Sequence, residues 1–243
     1  MAQAIPETTK QWNVVGTSGF DLLKFSEQPV PELGDNDVLV RNGAGIVLGT
    51  GKRVTRFKPG DEVLTILNQS HIGGSLNALS VRSGLGGSID GTFREIGAFN
   101  EQGLVHKPNT LDFVEASTLS CSGLTARNAL YGISDKKLMV GQWLLTQGTG
   151  GVSLFALQLA KATGARVIAT TSSSEKAEVL RRLGADFVIN YRETPNWGER
   201  AKELTGGIGV DHVVEVVGPS SMAQSLASIK IDGVITIIGV VGG

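Results

Sequence analysis

The chain has 243 residues, 41% of them hydrophobic and 19% charged, with a formal net charge of −1. This is the composition of one large or two modest globular domains, and its balanced charge gives no electrostatic reason to expect a nucleic acid or an anionic membrane as partner. One cysteine, Cys121, excludes an internal disulfide and fits a reducing compartment, and one Cys with three scattered His (His71, His106, His212) argues against a protein-built zinc site.

The N-terminal stretch MAQAIPETTKQWNVV lacks a basic region followed by an apolar core, so no signal peptide is evident. No apolar run approaches membrane-spanning length, VITIIGVV being far too short, and the expected location is cytoplasmic. Up to about Leu111 the chain is rich in Gly and Pro, and short β-like runs (DVLVR, GAGIVLG, DEVLTIL, LVHKP) alternate with turn signals such as PELGDND and FKPGDEV. Lys58-Pro59-Gly60-Asp61 offers a fixed φ followed by a residue tolerant of positive φ, as a tight reversal requires. This half reads as an antiparallel, barrel-like unit. The segment GGSLNALSVRSGLGGSIDGTFREI, with five glycines before Asp90, reads as a mobile surface loop. A plain linker is its simpler interpretation, and a substrate-facing loop is the functional alternative.

From about Asp112 helix and strand alternate. A helix covers DFVEASTLSCSGLTARNALYG, with an interruption near Ser122-Gly123. Strand QWLLTQ, helix VSLFALQLAKATG, strand ARVIATT, helix SEKAEVLRRLGA, strand DFVINY, helix NWGERAKELTGG, strand DHVVEVVG, helix SSMAQSLASIK and strand GVITIIG follow. Five buried-looking strands alternating with four helices predict an α/β, doubly wound parallel sheet. A serine among Ser172–Ser174 is placed to cap the second of these helices; Gly184 ends it, and Val179, Leu180 and Leu183 form its apolar stripe.

Gly148-Thr149-Gly150-Gly151 lies between the first strand of this series and its helix, where glycines allow a sharp turn and close approach of the backbone to a pyrophosphate. The third glycine of G-x-G-x-x-G is replaced by Ser153, small enough for the same packing position. An NAD site places a carboxylate about 20 residues further on, for the ribose 2′-hydroxyl. Here the strand ends at Thr170-Thr171, and Ser172, Ser173, Ser174 and Lys176 follow. Hydroxyls and an ammonium attract a 2′-phosphate that a carboxylate would repel, so the local chemistry favours NADPH over NADH. The serines also serve the plainer role of capping the helix.

With these residues in place the chain resembles the medium-chain dehydrogenase/reductase superfamily, in particular its zinc-independent, quinone-oxidoreductase-like (enoyl-reductase-like) branch. The matching pieces keep the family's order: PVPELGDNDVLVR, GAGIV…GKRVTRFKPGDEV, DGTFREIGAF, ASTLSCSGLTARNALY, GTGGVSLFALQLAKATGARVIATTSSSEKAEVLRRLGADFVINY and GVDHVVEVVG. The resemblance implies a GroES-like catalytic domain over residues 1–121 and a Rossmann NADP-binding domain over 122–243. It also implies roles by position. Gly148, Thr149, Gly150, Gly151 and Val152 would form the pyrophosphate turn. Thr171, Ser172, Ser173 and Lys176 would lie at the 2′-phosphate, with Tyr191 close by. Thr125 would lie under the nicotinamide, while Val217, Gly218, Ile238, Gly239 and Val240 would flank the ribose and nicotinamide. The implied reaction is hydride transfer from NADPH to an electron-poor C=C or C=O of a small-molecule substrate, without zinc.

The pattern is also interrupted. Arg41 runs directly into Asn42-Gly43-Ala44-Gly45, where the family has a few dozen residues carrying substrate-pocket and proton-relay groups, so no catalytic residue is assigned and the GroES-like domain is expected to be incomplete. Cys121 falls where zinc-dependent relatives place one ligand, without partners, and reads as a lone buried cysteine packing as a small hydrophobe. After Gly243 the family continues with a sixth strand, often paired across a dimer, and a return segment; an uncovered sheet edge invites association as a homodimer. A non-catalytic NADP(H)-binding form of such an enzyme is the alternative reading. A Rossmann methyltransferase is disfavoured by Thr171-Ser172, where its ribose would want an acid.

Overall fold

The computed structural model describes residues 5–16 and 20–239 and divides into two compact units, Met1–Cys121 and Ser122–Gly243. In the first unit, β1 (Thr8–Val14) and β2 (Leu23–Pro29) form an antiparallel pair. A second, antiparallel sheet contains β3 (Asp37–Arg41), β4 (Ala44–Thr50), β5 (Glu62–Thr65), β6 (Ile96–Asn100) and β7 (Leu104–His106) in the order β6-β3-β4-β5-β7. Val38, Val40, Val47, Phe57, Val63, Phe99 and Leu104 form its core. The predicted reversal is present: Gly60 has φ +95°, and Asp61 N–H donates to the Lys58 carbonyl at 3.1 Å.

β1, β2 and β6 were not legible as strands, and the glycine-rich segment is more structured than a plain loop. It carries a short helix, α1 (Ala78–Val81), closed by a reciprocal cap between Asn77 and Ser80. The turn from β3 to β4 uses Asn42 at φ +65°, a conformation Asn tolerates, and brings Gly45 so near the Arg41 carbonyl that no Cβ fits. α2 (Phe113–Ser117) is capped by Asp112 and Glu115. A π-turn at Leu119–Gly123 then breaks the predicted long helix where the interruption was expected.

The second unit contains α3 (Leu124–Tyr131), β8 (Trp143–Gln147), α4 (Gly151–Thr163), β9 (Arg166–Thr171), α5 (Ser174–Arg182), β10 (Phe187–Asn190), α6 (Trp197–Leu204), β11 (Val210–Glu215), α7 (Pro219–Ser228) and β12 (Ile229–Ile237). The strands are all parallel, in the order β10-β9-β8-β11-β12. Alternate residues serve opposite faces. Leu144, Val167, Ala169 and Val214 meet α4 through Ala156, Leu157 and Ala160, while Leu145, Ile168 and Val213 meet α6 through Trp197 and Ala201. Emptying one such fully buried position, as in Leu157→Ala, costs about 2–5 kcal/mol. After β8 the chain moves outward through β9 and β10, then returns to place β11 on the other side of β8. The strand order therefore reverses between β8 and β11, the position at which doubly wound sheets bind ligands beyond the carboxyl ends of their strands.

Candidate functional site

The turn after β8 is built for close backbone approach. Gly148 has φ +72°, and its N–H donates to the Thr170 carbonyl at 2.8 Å. Nothing lies within 4 Å of where a Cβ would sit on Gly148 or Gly150, so the space beside the turn is open. Gly150 caps α4 without a side chain, leaving the amide end of a 13-residue helix and its dipole for an anion. At Gly151 a Cβ would come within 2.7 Å of Ser122 Oγ, so the π-turn that precedes α3 lies against the glycine turn, and Thr125, the second residue of α3, is half-buried. Thr149 and Val152 are half-buried at its sides. Ser153 does more than substitute for a glycine: it is buried, and its hydroxyl donates to the last carbonyl of β8, that of Gln147, at 2.7 Å. These features fit a dinucleotide pyrophosphate.

Thr170 and Thr171 are buried at the end of β9, so polar atoms there come from the residues that follow. Ser172 and Ser173 are half-buried, and Lys176 is exposed. Ser173 is the serine that caps α5, accepting the Lys176 N–H at 3.3 Å. Tyr191 N–H donates to the Thr171 carbonyl at 3.0 Å, which brings the half-exposed tyrosine to the same strand end. An adjoining cavity of ≈ 320 Å³ is lined by Ser173, Ser174, Arg181, Asn190 and Arg200 among others. Both arginines have carboxylate partners, Glu178 at 3.4 Å and Glu203 at 2.9 Å, and the exposed Lys176 stands beside the serines on the first turn of α5.

On the other side of the switch point, β11 ends in Glu215, which is fully buried. Its Oε1 accepts the Val217 and Gly218 N–H groups, both at 2.9 Å, and the Ser221 hydroxyl at 2.7 Å. Its Oε2 accepts from Gln147 Nε2 at 2.7 Å and from the Ser225 hydroxyl at 2.5 Å. Burial pushes this carboxyl's pKa up, but the donors outweigh burial and hold it below the ordinary value, so the site carries an ionised carboxylate. Gly218 has φ +107°. Gly239 approaches the Val216 carbonyl too closely for any Cβ, and Ile238 N–H donates to the Glu215 carbonyl at 2.8 Å, so the β11 and β12 ends meet. Val240 lies outside the described residues. Sequence reasoning missed the Glu215 cluster; the available signal was one carboxylate at the end of the apolar run DHVVEVVG.

The first unit contains a groove of ≈ 970 Å³. Trp12 lines it, stacked on Phe93 at 5.9 Å between ring centroids, along with Phe113, Val114, Thr65 and residues 85–94. Residues 85–94 of the glycine-rich segment therefore line this groove. Its charged lining residues, Asp90 and Arg94, pair with each other at 3.4 Å. Cys121 is exposed and lines this groove, so it is not the buried packing residue that the sequence suggested. Among the described residues no three His, Cys, Asp or Glu side chains gather as metal ligands, and Cys121 alone does not fit a zinc site. No helix among the described residues is long and apolar enough to cross a membrane.

Two family models match, an alcohol dehydrogenase GroES-like domain over residues 11–109 and a zinc-binding dehydrogenase over 151–243. A zinc-type alcohol dehydrogenase-like protein of Schizosaccharomyces pombe is 38% identical over 255 residues, covering 92% of this chain and 74% of its own length. That alignment is longer than this chain, so the relative has residues that the chain skips. A quinone oxidoreductase of Pseudomonas aeruginosa is 35% identical, with 83% of this chain and 55% of that protein covered. The crystal structure of a putative alcohol dehydrogenase from Sinorhizobium meliloti superposes with a TM-score of 0.86 at 37% identity, over 99% of this chain and 79% of that one.

Proposed function

The chain belongs to the medium-chain dehydrogenase/reductase superfamily, and we propose that it is an NADPH-dependent oxidoreductase that reduces an uncharged quinone, enone or carbonyl compound without zinc. The observation that carries the cofactor choice is the end of β9, where Ser172, Ser173 and Lys176 stand in place of a ribose-binding carboxylate. When bound, the reduced nicotinamide supplies the hydride. The chain's own part is to bind and orient it. The Gly148–Val152 turn and the N-terminus of α4 receive the pyrophosphate, Lys176 and the serine hydroxyls receive the 2′-phosphate, and Tyr191 borders the adenosine end. Thr125, Val217, Gly218, Ile238 and Gly239 border the nicotinamide half. In this reading residues 1–121 are the catalytic domain and 122–243 the cofactor domain. The aromatic lining of the groove in the first unit, with its only charges paired, suits a flat neutral substrate.

The test is NADPH oxidation, followed near the reduced-nicotinamide band at roughly 340 nm, with 9,10-phenanthrenequinone and with an aryl enone, reading kcat/KM for each. Turnover with either supports the reading. A second reading, NADP(H) binding without turnover, is favoured by the residues that this chain skips relative to its relatives. NADPH binding with no rate above background supports it.

A further inference from the structure

The reversal of strand order leaves two loops facing each other, the glycine turn after β8 and Val216–Gly218 after β11. Their roots are joined side chain to side chain. The Gln147 amide, one residue before Gly148, donates through Nε2 to Glu215 and to Ser225 Oγ (2.9 Å), while its Oε1 accepts the Val216 N–H at 3.1 Å. Glu215 in turn holds the next two N–H groups of that loop and two hydroxyls of α7. Five donors converge on one buried carboxylate, and every polar atom of both side chains is used. Helix and sheet packing alone does not ask for this. A hydrophobic pair would fill the same volume without desolvating a charge. What the pair supplies is direction, fixing three consecutive loop amides relative to the glycine turn.

We propose that Glu215 and Gln147 are a positioning pair that presets the Val216–Gly218 loop against the glycine turn, so that the nicotinamide half of the dinucleotide meets a preformed site. This rests on the NADPH reading of the site above. Neither side chain is assigned a contact with the cofactor; they act through the loop. The pair has a built-in symmetry. Exchanging acid and amide in Glu215→Gln/Gln147→Glu preserves every donor–acceptor match: the new amide oxygen accepts the loop N–H groups and Ser221, its NH₂ faces the new carboxylate, and Val216 N–H still meets an oxygen. Each single change breaks the match. Glu215→Gln sets one NH₂ against another, and Gln147→Glu sets two carboxylates in contact.

The test measures dissociation constants for NADPH and for 2′,5′-ADP, which carries only the adenosine end, on the wild-type chain, both single variants and the exchanged pair. With folding checked by circular dichroism, each single variant should weaken NADPH about tenfold or more and change 2′,5′-ADP less than about twofold. The exchanged pair should recover NADPH affinity to within about threefold of wild type. Should a single variant fail to fold, Ser221→Ala, which removes one donor from Glu215, is expected to weaken NADPH a few-fold and leave 2′,5′-ADP unchanged. Equal loss of both ligands, no loss of either, or no recovery in the exchanged pair overturns the proposal while leaving the NADPH reading standing. A wild-type chain that binds neither ligand overturns both.

Discussion

Two turns, one in each unit, depend on glycine for opposite reasons. At Gly148 and Gly150 the space where a Cβ would stand is open, whereas at Gly45 it is filled by the chain's own Arg41 carbonyl. The first arrangement leaves the backbone of the turn accessible from outside the chain. The second is closure, a reversal from β3 to β4 that Asn42 completes by adopting positive φ. The same residue type therefore leaves backbone accessible beside one turn and permits a close chain reversal at the other.

Substitutions should separate the two. Gly45→Ala should give the largest effect, destabilising the first unit by more than about 3 kcal/mol in urea denaturation, because the added methyl overlaps backbone that cannot move without breaking the β3–β4 pairing. A Gly45→Ala chain of wild-type stability would show that the reversal is not tightly closed. Gly150→Leu should do the reverse. Gly150 has an ordinary φ of −73° and no neighbour to strike, so the melting temperature should stay within a few degrees while NADPH affinity falls by about a hundredfold or more. Retained binding would mean that the open space is not the pyrophosphate site.

The groove of the first unit gives a smaller contrast. Trp12→Ala removes one ring of the stacked pair, and kcat/KM for 9,10-phenanthrenequinone should fall about fivefold with NADPH affinity unchanged. An unchanged kcat/KM would detach the groove from the substrate.

The smallest expected effect is a pH slope in the second unit. His212 is buried with Nδ1 unpartnered, and its pKa lies below the ordinary 6.5. Burial is the main cause, Asp211 opposes it, and Lys230 and Lys136 add to it. Because the folded state holds the neutral ring, its stability contribution is complete above the unfolded pKa and declines as pH falls below it. Glu215 has the same sign in a more acidic window: its lowered pKa gives stability that is present above the unfolded value of 4.5 and lost as pH falls through the folded value. Between about pH 7.5 and about pH 5.5, a range that brackets the titration of an unperturbed histidine, the melting temperature should drop in wild type and drop less in His212→Leu. Parallel curves would assign the slope to other groups.

The two regions also differ in how far their sequences could be read. In the second unit each strand is followed within a few residues by the helix that covers it, so β8 through β12 and their helices were legible from local periodicity, and Gly148–Gly151 and a capping serine within Ser172–Ser174 from spacing. What escaped was non-local. Gln147 and Glu215 lie 68 positions apart, and nothing in either neighbourhood announces the other. In the first unit most contacts that matter are of this kind. β6 pairs with β3 across some sixty residues, IGAFN carries little alternation, and the groove is assembled from β1, the β3–β4 turn, residues 85–94 and α2. The resemblance to a family named the architecture of that unit, but it offered no matching positions for a proton donor or substrate pocket, because Arg41 runs directly into Asn42-Gly43-Ala44-Gly45.

The central claim is that hydroxyls and an ammonium at the end of β9 select a phosphorylated ribose. Titrating the chain with NADPH and NADH in the same buffer, by quenching of intrinsic tryptophan fluorescence, tests it most directly. NADPH should bind at least about tenfold more tightly, and Lys176→Ala should remove most of that difference while leaving NADH affinity unchanged. Equal affinities, or tighter binding of NADH, would contradict it.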